Sequence, residues 1–395
     1  MKKSIAVIGG GPSSLLFASF IDTSKYDVTL YEKNQALGRK FLVAGKGGFN
    51  LSHNESIEKF KLRYKPKDFM DSALDCFSNN DLRNWLQELG IETIVGSSNK
   101  IYPKKGIKPI QVLDLIKERI ISNNVDIRYK HNFIGYSNDN QIEFNNQSSV
   151  KADIIIFGLG GGSWSVTGSD GNWLNTIQKM GITTTPFVAQ NCGFKTINNE
   201  QFLIKWQGNP LKNITIEHEN IKVKGEIVFT REGVEGNAIY AHSYEIQKKL
   251  NTNKQTLIHV DLKPMNSENE LLVKLQNSSE RTITNKLKKA LNLNSLHIEL
   301  IKNATSKDEY LALEKISAII KKIPISIHSS FSMDEAISTS GGIHTNELNE
   351  NFELKKRTTI FCIGEMVNWN APTGGYLLQG CFSMGVKTAH YLNTL

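Results

Sequence analysis

Three consecutive glycines near the N-terminus have the spacing of a dinucleotide site. Gly9-Gly10-Gly11 directly follows the apolar run 5–8, and Pro12-Ser13-Ser14 opens a predicted helix. Gly9 permits a tight turn, and Gly11 lets the backbone approach a pyrophosphate, which the free N–H groups at the helix start attract. Ser14 replaces the third glycine of G-x-G-x-x-G but is small enough for close helix–strand packing.

An acidic residue follows at the distance that a ribose-binding residue requires. Glu32 ends a second predicted strand, residues 28–32, and lies 21 residues after Gly11. A carboxylate there accepts hydrogen bonds from ribose hydroxyls and repels a 2′-phosphate, which favours FAD or NAD over NADP. The alternative is a solvated acid at a strand end, with Lys33 beside it.

A second glycine-rich segment favours FAD. The segment follows shortly after the second predicted strand and contains Gly38-Arg39-Lys40, then Gly45-Lys46-Gly47, then Asn50. We expect Arg39 to brace a pyrophosphate while the glycines let the backbone pass a flavin. Lys46 is placed near flavin N5 or near the pyrophosphate. A flexible surface loop is the alternative.

A buried strand over residues 153–157 runs into another glycine turn. Gly158, Gly160 and Gly161 are expected to close over the cofactor at the carboxyl edge of the sheet. Asp170 lies in a following turn and is predicted to cap the next helix. No second acid-tipped Rossmann unit follows.

The last part of the chain supplies the far wall of this site. A strand over 359–365 ends at Gly364-Glu365, and Thr373-Gly374-Gly375 opens a helix over 377–392, with Tyr376 before it. Free N–H groups at a helix start would stabilise the negative charge of a reduced flavin. An ordinary glycine-rich helix start is the alternative.

These elements imply an α/β fold with an insertion. We predict a discontinuous Rossmann-like FAD-binding domain (residues 1–187 and 337–395), an inserted β-barrel-like domain (188–262 and 323–336) and a helical subdomain (263–322). Residues 55–125 are predicted to be helical, and strands are expected at 214–217, 221–224, 226–229 and 257–261.

Composition limits the remaining classes. The chain of 395 residues has a formal net charge of +8, which favours a solvated lysine-rich surface over nucleic-acid binding. Its four cysteines form no Cys-x-x-Cys pair, so we expect neither a disulfide framework nor a metal site, and a reducing cytoplasmic location fits. No apolar stretch of about eighteen residues predicts a membrane span.

The complete set of candidate residues follows from these motifs. The catalytic candidates are Lys46, Asn50 and Tyr376, with Asn368, Trp369 and Gln379 also expected at the flavin face. His53 is the best histidine candidate, although a solvated loop histidine is the simpler interpretation. The cofactor-binding candidates are Gly9, Gly11, Pro12, Ser13, Ser14, Glu32, Lys33, Gly38, Arg39, Lys40, Gly45, Gly47, Asn50, Phe133, Gly158, Gly160, Gly161, Gly364, Glu365, Thr373, Gly374, Gly375, Tyr376 and Leu377.

Together these motifs resemble the BaiN/YhiN-like flavoproteins, a family of NAD(P)/FAD-dependent oxidoreductases also labelled aminoacetone-oxidase-family proteins. The likeness spans nearly the whole chain and is carried by Gly38-Arg39-Lys40-Phe41, Ala44-Gly45-Lys46-Gly47-Gly48, Gly160-Gly161-Gly162-Ser163-Trp164, Gly168-Ser169-Asp170-Gly171, Asn191-Cys192-Gly193-Phe194, Pro210-Leu211-Lys212-Asn213, Gly233-Val234-Glu235-Gly236 and the run from Ala371 to Gln379. The resemblance implies non-covalent FAD and the discontinuous fold predicted above. Members are linked to reduction of enone-like steroids and to oxidation of small amines. Other branches carry an Arg-Cys-Asn segment where this chain has Gly47-Gly48-Phe49-Asn50, and an acidic residue where Asn368 stands.

The predicted function is an FAD-dependent oxidoreductase that transfers hydride between flavin N5 and a small organic substrate, with NAD(P)H as a candidate electron donor. One alternative is an oxygen-using flavin oxidase of a small amine, motivated by the missing second Rossmann unit. Another, from a different class, is a flavoprotein that binds or modifies RNA, motivated by the net charge of +8. The expected partner is a small-molecule substrate, with neither nucleic acid nor a membrane; the oligomeric state is left open.

Overall fold

The chain divides into two units, and the first is built from both chain ends. In the computed structural model, which describes residues 1–43, 49–137, 141–197 and 199–395, one unit comprises Met1–Val188 with Ser338–Leu395. The other comprises Ala189–Ile337. The finer subdivision predicted at residues 263–322 stays a prediction.

The N-terminal segment alternates strands and helices. Its strands are β1 (Lys3–Ile8), β2 (Tyr26–Glu32), β3 (Ser52–His53), β4 (Thr93–Val95), β5 (Lys100–Pro103), β6 (Asp126–Tyr129), β7 (Phe133–Tyr136), β8 (Gln141–Phe144), β9 (Ser149–Lys151), β10 (Ile154–Phe157) and β11 (Thr184–Gln190). Its helices are α1 (Pro12–Phe20), α2 (Arg39–Val43), α3 (Ile57–Lys61), α4 (Asp71–Cys76), α5 (Asn79–Glu88), α6 (Pro109–Ser122) and α7 (Leu174–Lys179).

The middle segment forms the second unit, and the chain then returns to the first. Strands β12 (Phe194–Thr196), β13 (Pro210–His218), β14 (Ile221–Phe229), β15 (Gly233–Glu235), β16 (Thr256–Asp261) and β17 (Ile323–Ser330) accompany helices α8 (Glu200–Trp206), α9 (Asn237–Tyr240), α10 (Ser243–Thr252), α11 (Glu268–Gln276), α12 (Ile283–Ala290), α13 (Ser295–Asn303), α14 (Lys307–Leu311) and α15 (Leu313–Lys321). The returning elements are β18 (Ser338–Ile343), β19 (Glu353–Leu354), β20 (Arg357–Cys362) and α16 (Tyr376–Asn393).

A six-stranded sheet in the order β19-β20-β10-β1-β2-β6 forms the core of the first unit. Every pairing in it is parallel except that of β19 with β20. The strand β10 is buried along its whole length, as expected of a parallel strand covered on both faces. The chain leaves β1 towards β2 and later places β10 on the opposite side of β1, so a topological switch point lies between β1 and β10. Ligands of open α/β sheets bind at the carboxyl ends of the strands at such a point.

The second unit contains a closed barrel of six antiparallel strands in the order β12-β15-β14-β13-β16-β17. Isoleucines that alternate along its strands fill the core, among them Ile214 and Ile216 on β13 and Ile258 on β16. Helices α11 to α15 connect β16 to β17, which pair with each other, so the helical segment is inserted between neighbouring barrel strands. The predicted α/β class with an inserted barrel and helical segment is confirmed.

Two local predictions are wrong. Residues 55–125 are not helical throughout, because β4 and β5 join β3 in a three-stranded sheet. The strands expected at 221–224 and 226–229 form one strand, β14, since Gly225 continues the pairing with Ile214 instead of forming a turn.

The four cysteines are free thiols, three of them buried. Within the described ranges, no group of three or more His, Cys, Asp or Glu side chains is arranged to hold a metal ion. Among the helices of those same ranges, none is both long enough and apolar enough to cross a bilayer.

Candidate nucleotide-binding site

A cavity of about 300 Å³ lies in the first unit at the carboxyl ends of β1, β2 and β10. Its walls come from segments that are distant in sequence but meet at one edge of the sheet. Of the candidate residues, the cavity is lined by Gly9, Gly11, Pro12, Glu32, Lys33, Gly38, Arg39, Lys40, Phe133, Gly158, Gly160 and Glu365.

The glycine turn after β1 is shaped by close backbone contacts. Gly9 has a φ of 100°, donates its N–H to the carbonyl of Tyr31, and would place a Cβ 2.5 Å from the carbonyl oxygen of Gly158. A Cβ on Gly11 would meet only that carbonyl, at 3.9 Å, so open space lies beside it. Pro12 then begins α1, whose first N–H groups carry the positive end of the helix dipole. The turn therefore offers a cradle for an anionic group.

The substitution of serine for the third motif glycine is compensated on the opposite strand. Ser14 is fully buried in α1, and a Cβ on Gly158 would lie 2.1 Å from its Oγ. The close approach of helix and strand is therefore permitted by a glycine after β10, rather than by one at position 14. This explains how the glycine motif tolerates serine at position 14.

Glu32 ties the end of β2 to the glycine turn. Its Oε2 accepts a hydrogen bond from the N–H of Gly10 at 2.8 Å. Its Oε1 accepts from the backbone N–H and from the side-chain amide of Asn34, at 2.8 and 2.7 Å. The carboxylate is buried at 7 % exposure, and it lines the cavity. Since each oxygen has two lone pairs, Oε2 keeps one acceptor position for a ligand hydroxyl.

Charged side chains hold the cavity walls together. The ammonium group of Lys33 is 2.9 Å from a carboxylate oxygen of Asp170, and Arg39 donates to the side-chain oxygen of Asn34 at 2.8 Å. Asp170 also accepts from the N–H of Asn172. The prediction that Asp170 caps the next helix is wrong, because α7 begins only at Leu174, beyond the reach of this side chain.

Lys40 connects two predicted cofactor segments. Its Nζ lies 3.0 Å from Oε2 of Glu365 and donates to the hydroxyl of Ser163 at 2.7 Å. Gly364, with a φ of 80°, precedes this acid and would place a Cβ 2.5 Å from the hydroxyl of Ser13. The end of β20 is thereby drawn against the start of α1.

The other candidates that the structure describes lie away from the lining of this cavity. Ser13, Ser14 and Gly161 are buried. Gly45, Lys46 and Gly47 lie outside the described residues. Asn50, Thr373, Gly374, Gly375, Tyr376 and Leu377 belong to segments near β3 and the start of α16. A Cβ on Gly375, which has a φ of 101°, would lie within 2.5 Å of the Ser52 backbone, so the turn before α16 is seated on β3.

Tyr376 is held in a polar and aromatic cluster. Its hydroxyl donates to Oε1 of Glu55 at 2.8 Å, and Arg63 binds both carboxylate oxygens of Glu55 at 2.9 Å. Its ring stacks on His53 with centroids 5.0 Å apart. Burial, and then the carboxylate of Glu55, raise the pKa of the Tyr376 phenol, so the hydroxyl keeps its proton. This geometry fixes the first residue of α16.

The three additional flavin-face candidates make internal hydrogen bonds. Asn368 accepts from the N–H of Gly341 at 3.0 Å, and the indole of Trp369 donates to the carbonyl of Gly364 at 2.9 Å. Gln379 is fully buried and accepts from the hydroxyl of Ser52 at 2.7 Å. All three side chains therefore stabilise the segments around the turn that precedes α16.

Sequence reasoning missed a wall of the cavity. Asn34, His131, Asn132, Ile134, Thr167, Trp173 and Thr176 line it although no motif marked them. The parallel pairing of β6 with β2, which the sequence does not show, brings residues 131–134 to the sheet edge at which β2 ends with Glu32. The indole of Trp173 donates to the carbonyl of Gly160 at 3.0 Å and so fixes the second glycine turn.

A family model described as "HI0933-like protein Rossmann domain" matches residues 3–391. The chain belongs to this HI0933-like family. The resemblance predicted from the motifs is confirmed, and with it the class, a flavoprotein oxidoreductase with a Rossmann-type nucleotide-binding domain.

Relatives of this family member align over nearly their whole length. The "3-dehydro-bile acid delta(4,6)-reductase" of Clostridium scindens is 22 % identical and aligns over 96 % of this chain and 97 % of its own. The "Ribosomal RNA dihydrouridine synthase" of Haemophilus influenzae is 21 % identical, with 97 % and 96 % covered. The protein of the same name from Escherichia coli is 22 % identical, with 95 % and 94 % covered.

The solved structures support the fold. The 3-ketosteroid delta1-dehydrogenase of Sterolibacterium denitrificans superposes with a TM-score of 0.50 at 11 % identity and covers 100 % of both chains. The expectation against a nucleic-acid partner stays a prediction, since two relatives are named for ribosomal RNA.

Proposed function

We propose that this HI0933-like protein is an FAD-dependent oxidoreductase that transfers hydride between flavin N5 and a small organic substrate. One observation carries the proposal: the Glu32 carboxylate accepts a hydrogen bond from the N–H of Gly10 at 2.8 Å. This bond lies in a cavity at the switch point of a parallel sheet. The buried carboxylate beside an open backbone cradle fits a ribose followed by a pyrophosphate.

The residues that would hold FAD come from both chain ends. Gly9 to Pro12 would receive the pyrophosphate at the start of α1, and Glu32 would accept from the adenosine ribose. The ion pair of Lys40 with Glu365 would orient the end of β20 beside the cofactor. When bound, FAD would supply the centre that accepts and donates a hydride, which amounts to two electrons and one proton.

The start of α16 would receive the flavin end of the cofactor. Gly375 turns the chain with a left-handed φ, and Tyr376 is anchored by Glu55, so the free N–H groups of the helix hold a fixed position. We therefore assign Tyr376 a positioning role. The hydroxyl is already donated to a carboxylate, which argues against its acting as a proton donor.

The substrate class is proposed from the chemistry that the names of the relatives have in common. A delta(4,6)-reductase of a 3-dehydro-bile acid and a dihydrouridine synthase both saturate a carbon–carbon double bond conjugated with a carbonyl group. We propose the same reaction type here, with hydride added to the carbon remote from the carbonyl and a proton added next to it. NADH or NADPH is the proposed donor.

Non-covalent attachment is supported by the state of the thiols. Burial raises the pKa of Cys192 to about 12 and also raises the pKa of Cys362 and of Cys381, which disfavours nucleophilic thiolates. Acid precipitation of the yellow holoprotein should release the flavin into the supernatant; colour retained in the pellet would contradict non-covalent binding.

The test of the reaction is anaerobic. NADH or NADPH should bleach the flavin, and an enone added afterwards should restore the yellow colour and gain two hydrogen atoms by mass spectrometry. The oxidase alternative would instead be established if enones fail to reoxidise the reduced flavin, while an amine reduces the flavin and oxygen reoxidises it.

A second candidate function is reduction of uridine in RNA, which the two relatives named for ribosomal RNA favour. Incubation of the holoprotein with NADPH and unmodified ribosomal RNA should yield dihydrouridine by nucleoside mass spectrometry. If enones are reduced while RNA stays unmodified, this candidate is removed and the first is retained.

A further inference from the structure

A second cavity lies wholly within the other unit and has a basic, amide-rich lining. It encloses about 480 Å³ where β13, the turn after β16 and the start of α13 meet. Its polar lining includes Lys212, Asn213, Lys263, Asn266, Asn294 and His297, and none of the described residues that line it is acidic. The charge of its lining at neutral pH is therefore positive.

Lys263 is a half-buried cation in this lining. Across the described residues, its ammonium group forms no salt bridge and donates to no protein acceptor. Burial, and then the charge of Lys274, lower its pKa. Nearby Lys321 shows the contrast, since it pairs with Asp261 at 2.7 Å and donates to the carbonyls of Lys263 and Asn266. A bound anion would stabilise the uncompensated charge of Lys263.

A β-bulge adds a second cation to the same cavity. The register of β13 against β14 shifts between Leu211 and Ile214, and Asn213 within the bulge has a left-handed φ of 57°. Bulges re-aim side chains out of the regular alternation, and asparagine tolerates this conformation. Lys212 and Asn213 line the cavity as part of the Pro210-Leu211-Lys212-Asn213 motif, to which the nucleotide site of the first unit gives no role.

His297 provides an acceptor beside these cations. Its Nδ1 lies 2.6 Å from Oδ1 of Asn294, an oxygen that can only accept, so Nδ1 carries the proton. Burial and the charge of Lys263 lower the pKa of His297 to about 4, which keeps the ring neutral at physiological pH. Nε2 is then the unprotonated ring nitrogen, which can accept a hydrogen bond from a ligand. Met265, 84 % exposed at the rim, offers a polarizable thioether to an aromatic ring.

We propose that this cavity binds the phosphate group of a ribonucleotide, with Lys212 and Lys263 contacting the phosphate and His297 accepting from a ribose hydroxyl. The phosphate can belong to a free nucleotide or to an RNA strand, because both present the same charge and the same hydroxyl. The site concerns binding alone, so it stands independently of the reduction proposed for the first unit.

Binding to the FAD-loaded, full-length protein tests the proposal. Calorimetry with UMP, uridine and inorganic phosphate is combined with fluorescence anisotropy of a short uridine RNA. We expect UMP to bind and uridine to bind at least about tenfold more weakly, because a charge-assisted contact is lost. If the RNA binds more tightly than UMP, with an affinity that falls as salt rises, the phosphate source is RNA; equal affinity assigns it to a free nucleotide.

Matched lysine variants locate the site. Lys263→Met should weaken UMP binding about tenfold and Lys212→Met about threefold, whereas Lys263→Arg should keep most of it. Lys254→Met removes the same charge from an exposed position outside the cavity, and it should change the affinity less than about twofold. Flavin reduction by a nicotinamide donor is measured in the same samples, so a failure of the reduction chemistry is seen separately.

The pKa of His297 gives a readout that a purely structural role would not move. Since Lys263 lowers this pKa, a bound phosphate should raise it in a proton NMR titration, with the signal assigned by its loss in His297→Asn. The proposal is overturned if uridine binds as well as UMP, if Lys254→Met weakens binding as much as Lys263→Met, or if phosphate leaves the His297 titration unchanged.

Discussion

Glu32→Gln is the substitution that most sharply tests the nucleotide site. The carboxylate accepts three hydrogen bonds, from the N–H of Gly10 and from the backbone and side-chain N–H groups of Asn34. Glutamine offers one oxygen, so its NH2 group must face at least one of these buried donors. If the Asn34 amide rotated, its oxygen could accept from that NH2 group. The rotation would break the hydrogen bond that Arg39 donates to the Asn34 oxygen.

The magnitude follows from the lost acceptors. Each hydrogen bond to a charged group contributes about 1.5–3 kcal/mol, and a buried donor left without a partner costs about 1–3 kcal/mol. Allowing for relaxation of the turn, we expect the free energy of FAD binding to weaken by about 2–3 kcal/mol, which corresponds to a dissociation constant raised roughly 30- to 150-fold.

The assay is titration of apoprotein with FAD, followed by flavin fluorescence or calorimetry. Glu118→Gln serves as the matched control, because it makes the same chemical change at an exposed position on α6. Its FAD affinity should equal that of the unsubstituted protein. Equal affinities of Glu32→Gln and Glu118→Gln would refute the argument that Glu32 organises the turn and the ribose site.

Further predictions concern backbone approaches and the Tyr376 cluster. Gly9→Ala should abolish measurable FAD binding, since its Cβ would lie 2.5 Å from a carbonyl oxygen. Gly90 is the matched control, because it also has a positive φ but a Cβ there would meet nothing within 4 Å. Gly90→Ala should therefore only lower the melting temperature by a few degrees. Gly158→Ala should weaken FAD binding at least about tenfold, because its Cβ would meet the Ser14 hydroxyl at 2.1 Å. Adding Ser14→Gly should restore most of the affinity. If the double variant shows no recovery, the clash lies elsewhere. Glu55→Gln should cost about 1 kcal/mol of stability, seen as a melting temperature lower by roughly 2–4 °C, and an unchanged melting temperature would contradict the anchoring role.

Local patterns were sufficient to predict the nucleotide half of the fold. The buried apolar run of β1, the glycines after it and the acid at the end of β2 are all encoded within the first 32 residues, and each has a physical requirement for its residue type. The second glycine turn after β10 and the strand β20 carry the same kind of information. These strands, and their membership of one parallel sheet, could therefore be predicted before the order in which they pair was known.

Partners that are distant in sequence could not be predicted in this way. Lys33 meets Asp170 across 137 residues, and Glu55 meets Tyr376 across 321 residues. No periodicity or motif links such pairs, because they are brought together only by the strand order of the sheet. The compensation of Ser14 by Gly158 was hidden for the same reason, and a motif departure at one position was balanced at another.

The bulge at Lys212-Asn213 shows a further limit. A regular strand pattern predicts that successive side chains alternate between the two faces, whereas an inserted residue breaks that alternation without changing the composition of the strand. The second cavity depends on this local irregularity, so only the three-dimensional structure places Lys212 near Lys263.

Anaerobic reoxidation of the reduced holoprotein tests the central claim most directly. The protein is loaded with FAD, reduced by NADH or NADPH under nitrogen, and mixed with an α,β-unsaturated ketone while flavin absorbance and product mass are followed. The account predicts that the yellow colour returns and that the ketone gains two hydrogen atoms. A protein that binds no flavin, or whose reduced flavin is reoxidised by oxygen alone while the ketone is recovered unchanged, would contradict it.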